Sequence, residues 1–149
     1  KSIELLPLNE TGVDVQWHKD GTHYLASKSD TYGRFENISY RNRLTGDTQI
    51  LSFRTLPEKC FFSRKESDVL FCAIPKPETF KPEALPDVWW QGKTQFADEL
   101  WKINIATGER TMLLEGGGFD MQSIFTSPNE NYMFFINKND LTLWSLRIL

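Results

Sequence analysis

Large apolar residues bracket a polar turn at three places in the chain, in the stretches Trp17–Tyr24, Phe62–Val69 and Phe125–Tyr132. In each stretch the two apolar residues lie seven positions apart, and short apolar-rich runs flank the turn. Each stretch is therefore predicted to be a β-hairpin, whose strands we call a and b. A spacing of about 45 residues, filled by short strands and tight turns, is typical of β-propeller blades.

A second pair of strands follows the first two hairpins. Residues 38–51 contain a strand, a turn and a strand, and residues 100–113 repeat this order around a shared Thr-Gly pair. Glycine suits such a turn because it adopts positive φ without strain. We call these strands c and d. The third repeat has only strand c, at residues 141–146. Its missing strand d has a counterpart at Ile3–Leu6, which aligns without gaps with residues 48–51.

The predicted fold is all-β, with about three four-stranded antiparallel blades in the order d-abcd-abcd-abc. The blade units cover residues 1–53, 54–116 and 117–149 of a single domain. Three blades are too few to close a ring, since propellers have about four to eight. The chain is therefore expected to be part of a longer propeller, or to form a homodimer that closes a six-bladed ring head to tail. A compact arrangement of about a dozen strands without blades is the alternative.

An insertion at residues 74–98 separates strands b and c of the second blade and contains four of the seven prolines. Repeated prolines predict an extended, stiff segment. Within it, Trp89, Trp90 and Phe96 are candidates for binding a ligand or a protein partner, because exposed aromatic rings are frequent anchors of interfaces. In the alternative, the two Trp rings fold back and cover an open end of the blade.

Charge and hydrophobicity argue against two properties, nucleic-acid binding and a membrane span. The net charge is −3 and Lys and Arg are scattered among Asp and Glu, whereas nucleic-acid binding favours a basic patch. No apolar run approaches the roughly 18 residues of a membrane-spanning helix. We therefore predict neither nucleic-acid binding nor a membrane span. The chain begins at Lys1 rather than Met, which fits either a removed leader or a fragment of a longer protein.

The chain lacks the sequence motifs of a catalytic centre. We find no nucleophile elbow, no phosphate-binding loop and no dinucleotide fingerprint. His18 and His23 flank the first turn without a ligand at metal-binding spacing, so they are expected to be solvated turn residues. Neither a catalytic residue nor a cofactor nor a metal site is predicted.

Cys60 and Cys72 are the only two cysteines. If the second hairpin turn is centred on Glu66, they lie directly opposite each other on neighbouring strands, within reach of a disulfide. A disulfide would indicate an oxidising compartment outside the cytoplasm, periplasmic or secreted. The alternative is a pair of buried free thiols.

With the repeats laid out, the chain resembles the TolB-like and WD-repeat-like propeller repeats of bacterial proteins. The resemblance rests on residues 125–132, on Leu-Trp-Ser-Leu at 143–146, and on residues 98–109, which include Asp-Glu-Leu-Trp-Lys-Ile-Asn. It departs from the pattern at residues 64–66, where Arg-Lys-Glu replaces Ser-Pro-Asp. By this resemblance, members of such families serve as envelope-associated scaffolds, sensor domains or propeller domains of serine peptidases.

Two functions follow as hypotheses. The first is a non-enzymatic propeller module that binds a protein, a peptide or another ligand. The second is the propeller domain of a larger peptidase-type hydrolase whose catalytic domain lies elsewhere. In either case Trp101 and Trp144, at matched positions of strand c, are expected to be largely buried.

Overall fold

The computed structural model describes residues 1–3, residue 6 and residues 10–149. In this part of the chain, eleven strands form three antiparallel sheets, with a single four-residue helix. Sheet I has the order β1-β2-β3-β4, sheet II the order β5-β6-β7-β8, and sheet III the order β9-β10-β11. The strands are β1 Thr11–Trp17, β2 His23–Ser29, β3 Phe35–Asn42, β4 Thr48–Ile50, β5 Cys60–Phe62, β6 Val69–Pro75, β7 Asp98–Asn104, β8 Arg110–Leu114, β9 Met121–Thr126, β10 Tyr132–Asn137 and β11 Thr142–Arg147.

The all-β prediction is confirmed, as is the order of the strands from β1 to β11, but the register of the hairpins differs from one sheet to the next. Trp17 pairs with Tyr24 as expected. In sheet II, Phe62 pairs with Leu70 rather than Val69, because the turn that begins at Ser63 is one residue longer than the first turn. In sheet III, Phe125 pairs with Phe134. The sequence repeat therefore marks each hairpin to within one or two residues.

Two layers of apolar side chains hold the three sheets together. Between sheets I and II, the core includes Leu25, Ile38 and Leu70. Between sheets II and III, it includes Phe71 and Phe135, among other side chains. Sheet II thus buries one face against sheet I and the other against sheet III, as expected for strands whose side chains alternate between two faces. In the part of the chain that the structure describes, the three sheets do not close into a ring.

The strand d predicted at Ile3–Leu6 lies partly outside the described residues. Ile3 is fully exposed and belongs to no strand. Within the described residues, sheet III has three strands where sheets I and II have four.

The insertion departs from the predicted extended segment. A short helix, α1, covers Asp87–Trp90 and follows Pro86, whose peptide bond with Leu85 is cis. The fixed φ of proline suits the start of a helix, so a proline-rich segment is compatible with a helical turn directly after its last proline.

The expected burial of the strand c tryptophans is wrong for Trp144 and holds in part for Trp101, which packs against the core between sheets I and II. Trp101 is only half-buried, and Trp144 is exposed. Trp144 lies on β11 at the edge of its sheet, where its ring contacts that of Phe119 with 4.9 Å between centroids. An edge strand lacks a neighbour on one side, so its side chains remain accessible to water.

Candidate functional site

A fully buried group of charges lies where the insertion meets sheets II and III. The Lys59 Nζ atom is 2.7 Å from Asp98 Oδ2 and 2.6 Å from Asp120 Oδ1, and all three side chains are inaccessible to solvent. Lys59 ends the 3-10 turn Pro57–Lys59, Asp98 begins β7, and Asp120 immediately precedes β9. One lysine therefore ties together three segments that are distant in sequence. We call Lys59, Asp98 and Asp120, together with the neighbouring Trp89 and Phe96, the anchor cluster.

Trp89 joins the insertion to these charges. Its indole Nε1 donates to both carboxylate oxygens of Asp120, at 3.0 and 2.9 Å. The Lys59 ammonium lies 4.7 Å from the centroid of the Trp89 ring and 5.2 Å from that of Phe96. The Phe96 backbone N–H also donates to Asp120 Oδ2, at 3.2 Å. A cation between two aromatic faces recovers part of the solvation that it loses on burial.

The three aromatic residues that the sequence offered as binding candidates differ in their exposure to solvent. Trp89 is 1% exposed and Phe96 is also buried, whereas Trp90 is 50% exposed. The position of Trp89 matches the alternative in which the ring folds back onto the blade, and it leaves no accessible face for stacking. The Trp90 indole donates to the Glu58 carboxylate. Partner binding through Trp90 stays a prediction.

Burial also shifts the pKa of one carboxylate of the anchor cluster, that of Asp98. Desolvation raises the pKa of Asp98 to about 6, although the charge of Lys59 and the hydrogen bond from Lys59 act in the opposite direction. Asp98 Oδ1 has no hydrogen-bond partner, so nothing compensates that oxygen for its lost water. Because no solvent reaches the charged atoms of the three residues, their arrangement can hold the insertion in place but cannot contact a substrate directly.

An open cleft of about 460 Å³ lies on the surface between the segment that follows β4, the start of the insertion and strands β7 and β8. Its aromatic lining consists of Phe53, Phe80 and Trp101, and two prolines add to the apolar wall. Its charged lining residues are Arg54, Arg110 and Glu99. We refer to this feature as the cleft.

The charged groups of the cleft differ in how far they are already paired. Arg110 lies over the Phe53 ring, 5.2 Å from its centroid, and donates to Ser52 Oγ. Glu99 accepts a hydrogen bond of 3.2 Å from the Trp101 indole. Arg54 is exposed, and no carboxylate in the described part of the chain pairs with it. The cleft therefore offers one guanidinium group to a ligand beside an aromatic wall.

Sequence reasoning missed the cleft because its residues come from four segments of the chain. The pairing of β7 with β8, where Ile103 opposes Arg110, would place Trp101 near Arg110. The approach of Phe53 and Arg54 to these strands depends on how sheet I packs on sheet II, and no local pattern shows that.

The first turn contains a second polar group, formed by His18, Asp20 and His23. Asp20 Oδ2 is 2.9 Å from His18 Nδ1 and 2.7 Å from His23 Nδ1. Slight burial raises the pKa of Asp20, but the hydrogen bonds from His23, Thr22 and His18 together lower it well below its usual range. His18 is buried against the ring of Phe62, so the expectation of a solvated side chain is wrong for this residue. No cluster of three metal-binding side chains occurs among the described residues.

The predicted disulfide between Cys60 and Cys72 is confirmed. The two residues pair directly across β5 and β6, with 4.1 Å between their Cα atoms. None of the helices in the described residues is long and apolar enough to cross a membrane.

Comparisons with known proteins support the fold alone. No family model matches the chain, and no curated protein matches it. Among solved structures, the chain is similar to hydrazine synthase of Kuenenia stuttgartiensis, with a TM-score of 0.56 and 13% sequence identity. The similarity covers 90% of this chain but only 39% of the other. The resemblance to TolB-like and WD-repeat-like families therefore stays a prediction.

Proposed function

We propose that the chain is a non-enzymatic, propeller-type module that binds a peptide or a protein segment in the cleft. The ligand that fits is a carboxylate-bearing residue next to an aromatic or aliphatic one. The observation that carries the proposal is the position of Arg54 in the cleft, where it pairs with no carboxylate of the described residues and shares the lining with three aromatic side chains.

The arrangement of the sheets supports the propeller part of the proposal. Three antiparallel sheets follow one another along the chain, and sheet II packs against its neighbours through both faces. Successive blades of a propeller pack in this way. The fold-level similarity to a much longer chain is consistent with a module of a larger protein.

The chemistry of the cleft supports the ligand class. A guanidinium group binds a carboxylate through two parallel N–H···O bonds, which gives geometric specificity as well as energy. Trp101 and Phe80 supply apolar surface beside Arg54, and aromatic and arginine side chains dominate the energetics of many interfaces. A volume of about 460 Å³ accommodates one or two side chains of a peptide.

The disulfide supports a location outside the cytoplasm, because cytosolic thiols are usually kept reduced. The rival hypothesis of a propeller domain in a larger hydrolase stays a prediction. A hydrolase domain in the same gene, outside these residues, would favour it.

The proposal is tested by titrating the ¹⁵N-labelled protein with the dipeptide Ac-Phe-Asp-NH₂, which is blocked at both ends, and its neutral analogue Ac-Phe-Asn-NH₂. We expect NMR shift changes at Ser52, Arg54 and the Trp101 indole, and weaker changes with Ac-Phe-Asn-NH₂ at equal concentration. Equal responses to the two peptides, no response, or changes confined to residues outside the cleft would overturn the proposal.

A further inference from the structure

Glu99 adds a half-buried negative charge to the lining of the cleft. It lies two positions before Trp101 on β7, so the two side chains project from the same side of the strand. That side faces sheet I, because Trp101 packs against the core between sheets I and II. The Trp101 indole donates to Glu99 Oε2 at 3.2 Å, which orients the carboxylate beside the aromatic wall.

No cation of the described residues pairs with the Glu99 carboxylate. In that part of the chain, the ion pairs of lysine and arginine involve other carboxylates. Lys76 follows a proline that lines the cleft, but its side chain runs over Gly116, where an added Cβ would be 2.6 Å from Lys76 Cε. Arg110 donates to Ser52 Oγ. Glu99 is therefore available to a cationic group of a ligand.

The cleft thus contains two opposite charges that do not pair with each other. Arg54 lies on the segment that follows β4, whereas Glu99 lies on β7, so the two charges belong to different walls. A ligand that carries only a carboxylate satisfies Arg54 but brings a second negative charge into the cleft with Glu99. A cation on the same ligand turns this repulsion into attraction.

We propose that the ligand is a dipolar peptide segment, in which an acidic and a basic residue flank an aromatic one. This inference rests on the proposed function and adds the basic residue to it. The carboxylate pairs with Arg54, the aromatic ring packs against Trp101, and the basic group pairs with Glu99. Because the cleft is open, the two charged side chains need to reach it only with their ends. Glu99 then selects among carboxylate-bearing ligands.

The test compares two pairs of tripeptides that are blocked at both ends. Ac-Lys-Phe-Asp-NH₂ is paired with Ac-Nle-Phe-Asp-NH₂, where norleucine supplies an aliphatic chain without the charge. Ac-Asp-Phe-Lys-NH₂ is paired in the same way with Ac-Asp-Phe-Nle-NH₂, so that both chain directions in the cleft are covered. In NMR titrations of the wild type, we expect lysine to strengthen binding about fivefold over norleucine in at least one pair.

Two variants show whether Glu99 provides this gain. Glu99→Gln keeps an acceptor for the Trp101 indole but loses the charge, whereas Glu78→Gln removes an exposed carboxylate that does not line the cleft. In Glu99→Gln the gain from lysine should fall to about twofold or less, while Ac-Phe-Asp-NH₂ should bind at least as tightly as to the wild type. Glu78→Gln should retain the full gain. A purely structural role of Glu99 would weaken the binding of all these peptides alike.

The outcomes distinguish this inference from the proposed function on which it rests. If Ac-Phe-Asp-NH₂ binds but lysine gives no gain in either pair, the dipolar ligand alone is overturned. A gain that Glu99→Gln leaves intact, or a uniform loss of binding in that variant, overturns it as well. If none of the peptides shifts the signals of Arg54 and the Trp101 indole in the wild type, the proposed function and this inference are both wrong.

Discussion

The ammonium group of Lys59 lies 2.6 Å from a carboxylate oxygen of Asp120, and neither side chain is accessible to water. This contact joins the segment before sheet II to the segment before sheet III, and Trp89 brings the insertion to the same carboxylate. The insertion also forms one wall of the cleft through Phe80. The anchor cluster therefore positions part of the proposed binding site without touching the ligand.

Replacing Lys59 by Met should lower the free energy of unfolding by about 3–5 kcal/mol, because the carboxylates of Asp98 and Asp120 would lose their buried cation. Urea denaturation measures the change. Lys102→Met is the matched control, since Lys102 pairs with Glu66 on the surface, where an ion pair contributes only about 0–1 kcal/mol. Equal small losses in the two variants would show that the buried cluster does not stabilise the fold.

The stability of the protein should depend on pH through Asp98. Burial raises its pKa from 3.8 to about 6 in the folded state. Between these values the folded protein binds more protons at this site than the unfolded chain does, so the contribution of Asp98 to stability falls as pH rises. Relative to Asp98→Asn, the wild type should lose on the order of 1–3 kcal/mol between pH 4 and pH 7.

Denaturation of both proteins across this pH range gives the difference directly. Asp140→Asn is the control. Hydrogen bonds from Thr142 lower the pKa of the exposed Asp140, so the contribution of Asp140 to stability should rise with pH, whereas that of Asp98 should fall. If the wild type gained stability over Asp98→Asn as pH rose, the attraction of Lys59 would outweigh desolvation at Asp98, and this part of the account would be wrong.

Glu130 should tolerate glycine better than alanine. Its φ of 54° lies in the left-handed region, as does that of Gly21, the equivalent residue of the first turn. Its buried carboxylate accepts hydrogen bonds from Ser63 Oγ at 2.9 Å and from the Arg64 backbone N–H at 2.6 Å. Glu130→Ala should cost about 2–4 kcal/mol, because it loses both bonds and keeps the strain.

In Glu130→Gly the bonds are lost but the strained φ is relieved, so the cost should be about 1 kcal/mol smaller. Chemical denaturation of the two variants tests the ranking, with Glu66→Ala as a surface control. An alanine variant as stable as the glycine variant would argue against strain at this turn.

Local patterns were sufficient to predict the strands and the disulfide. Once the turn of the second hairpin is centred on Glu66, Cys72 is the residue opposite Cys60 on the neighbouring strand. Because side chains alternate along a strand, the two then lie on the same face. The hairpins around Trp17 and Phe125 were likewise recognisable from apolar residues that flank turn-forming ones.

The site depends on contacts that no local pattern contains. Trp89 is buried in the core between sheets I and II, and its indole donates to Asp120, 31 residues away in sequence. The exposure of Trp144 results from the lack of a described neighbour beyond β11. Arg54 becomes a candidate binding residue only because the packing of two sheets places it beside Trp101.

The most direct test of the central claim is the dissociation constant of Ac-Phe-Asp-NH₂ for the wild type, Arg54→Gln and Arg64→Gln. Arg64 is exposed and lies outside the cleft, so it controls for the general loss of positive charge. We predict that Arg54→Gln weakens binding by about tenfold or more while Arg64→Gln leaves it within about twofold. Equal affinities of the three proteins would contradict a carboxylate-binding cleft.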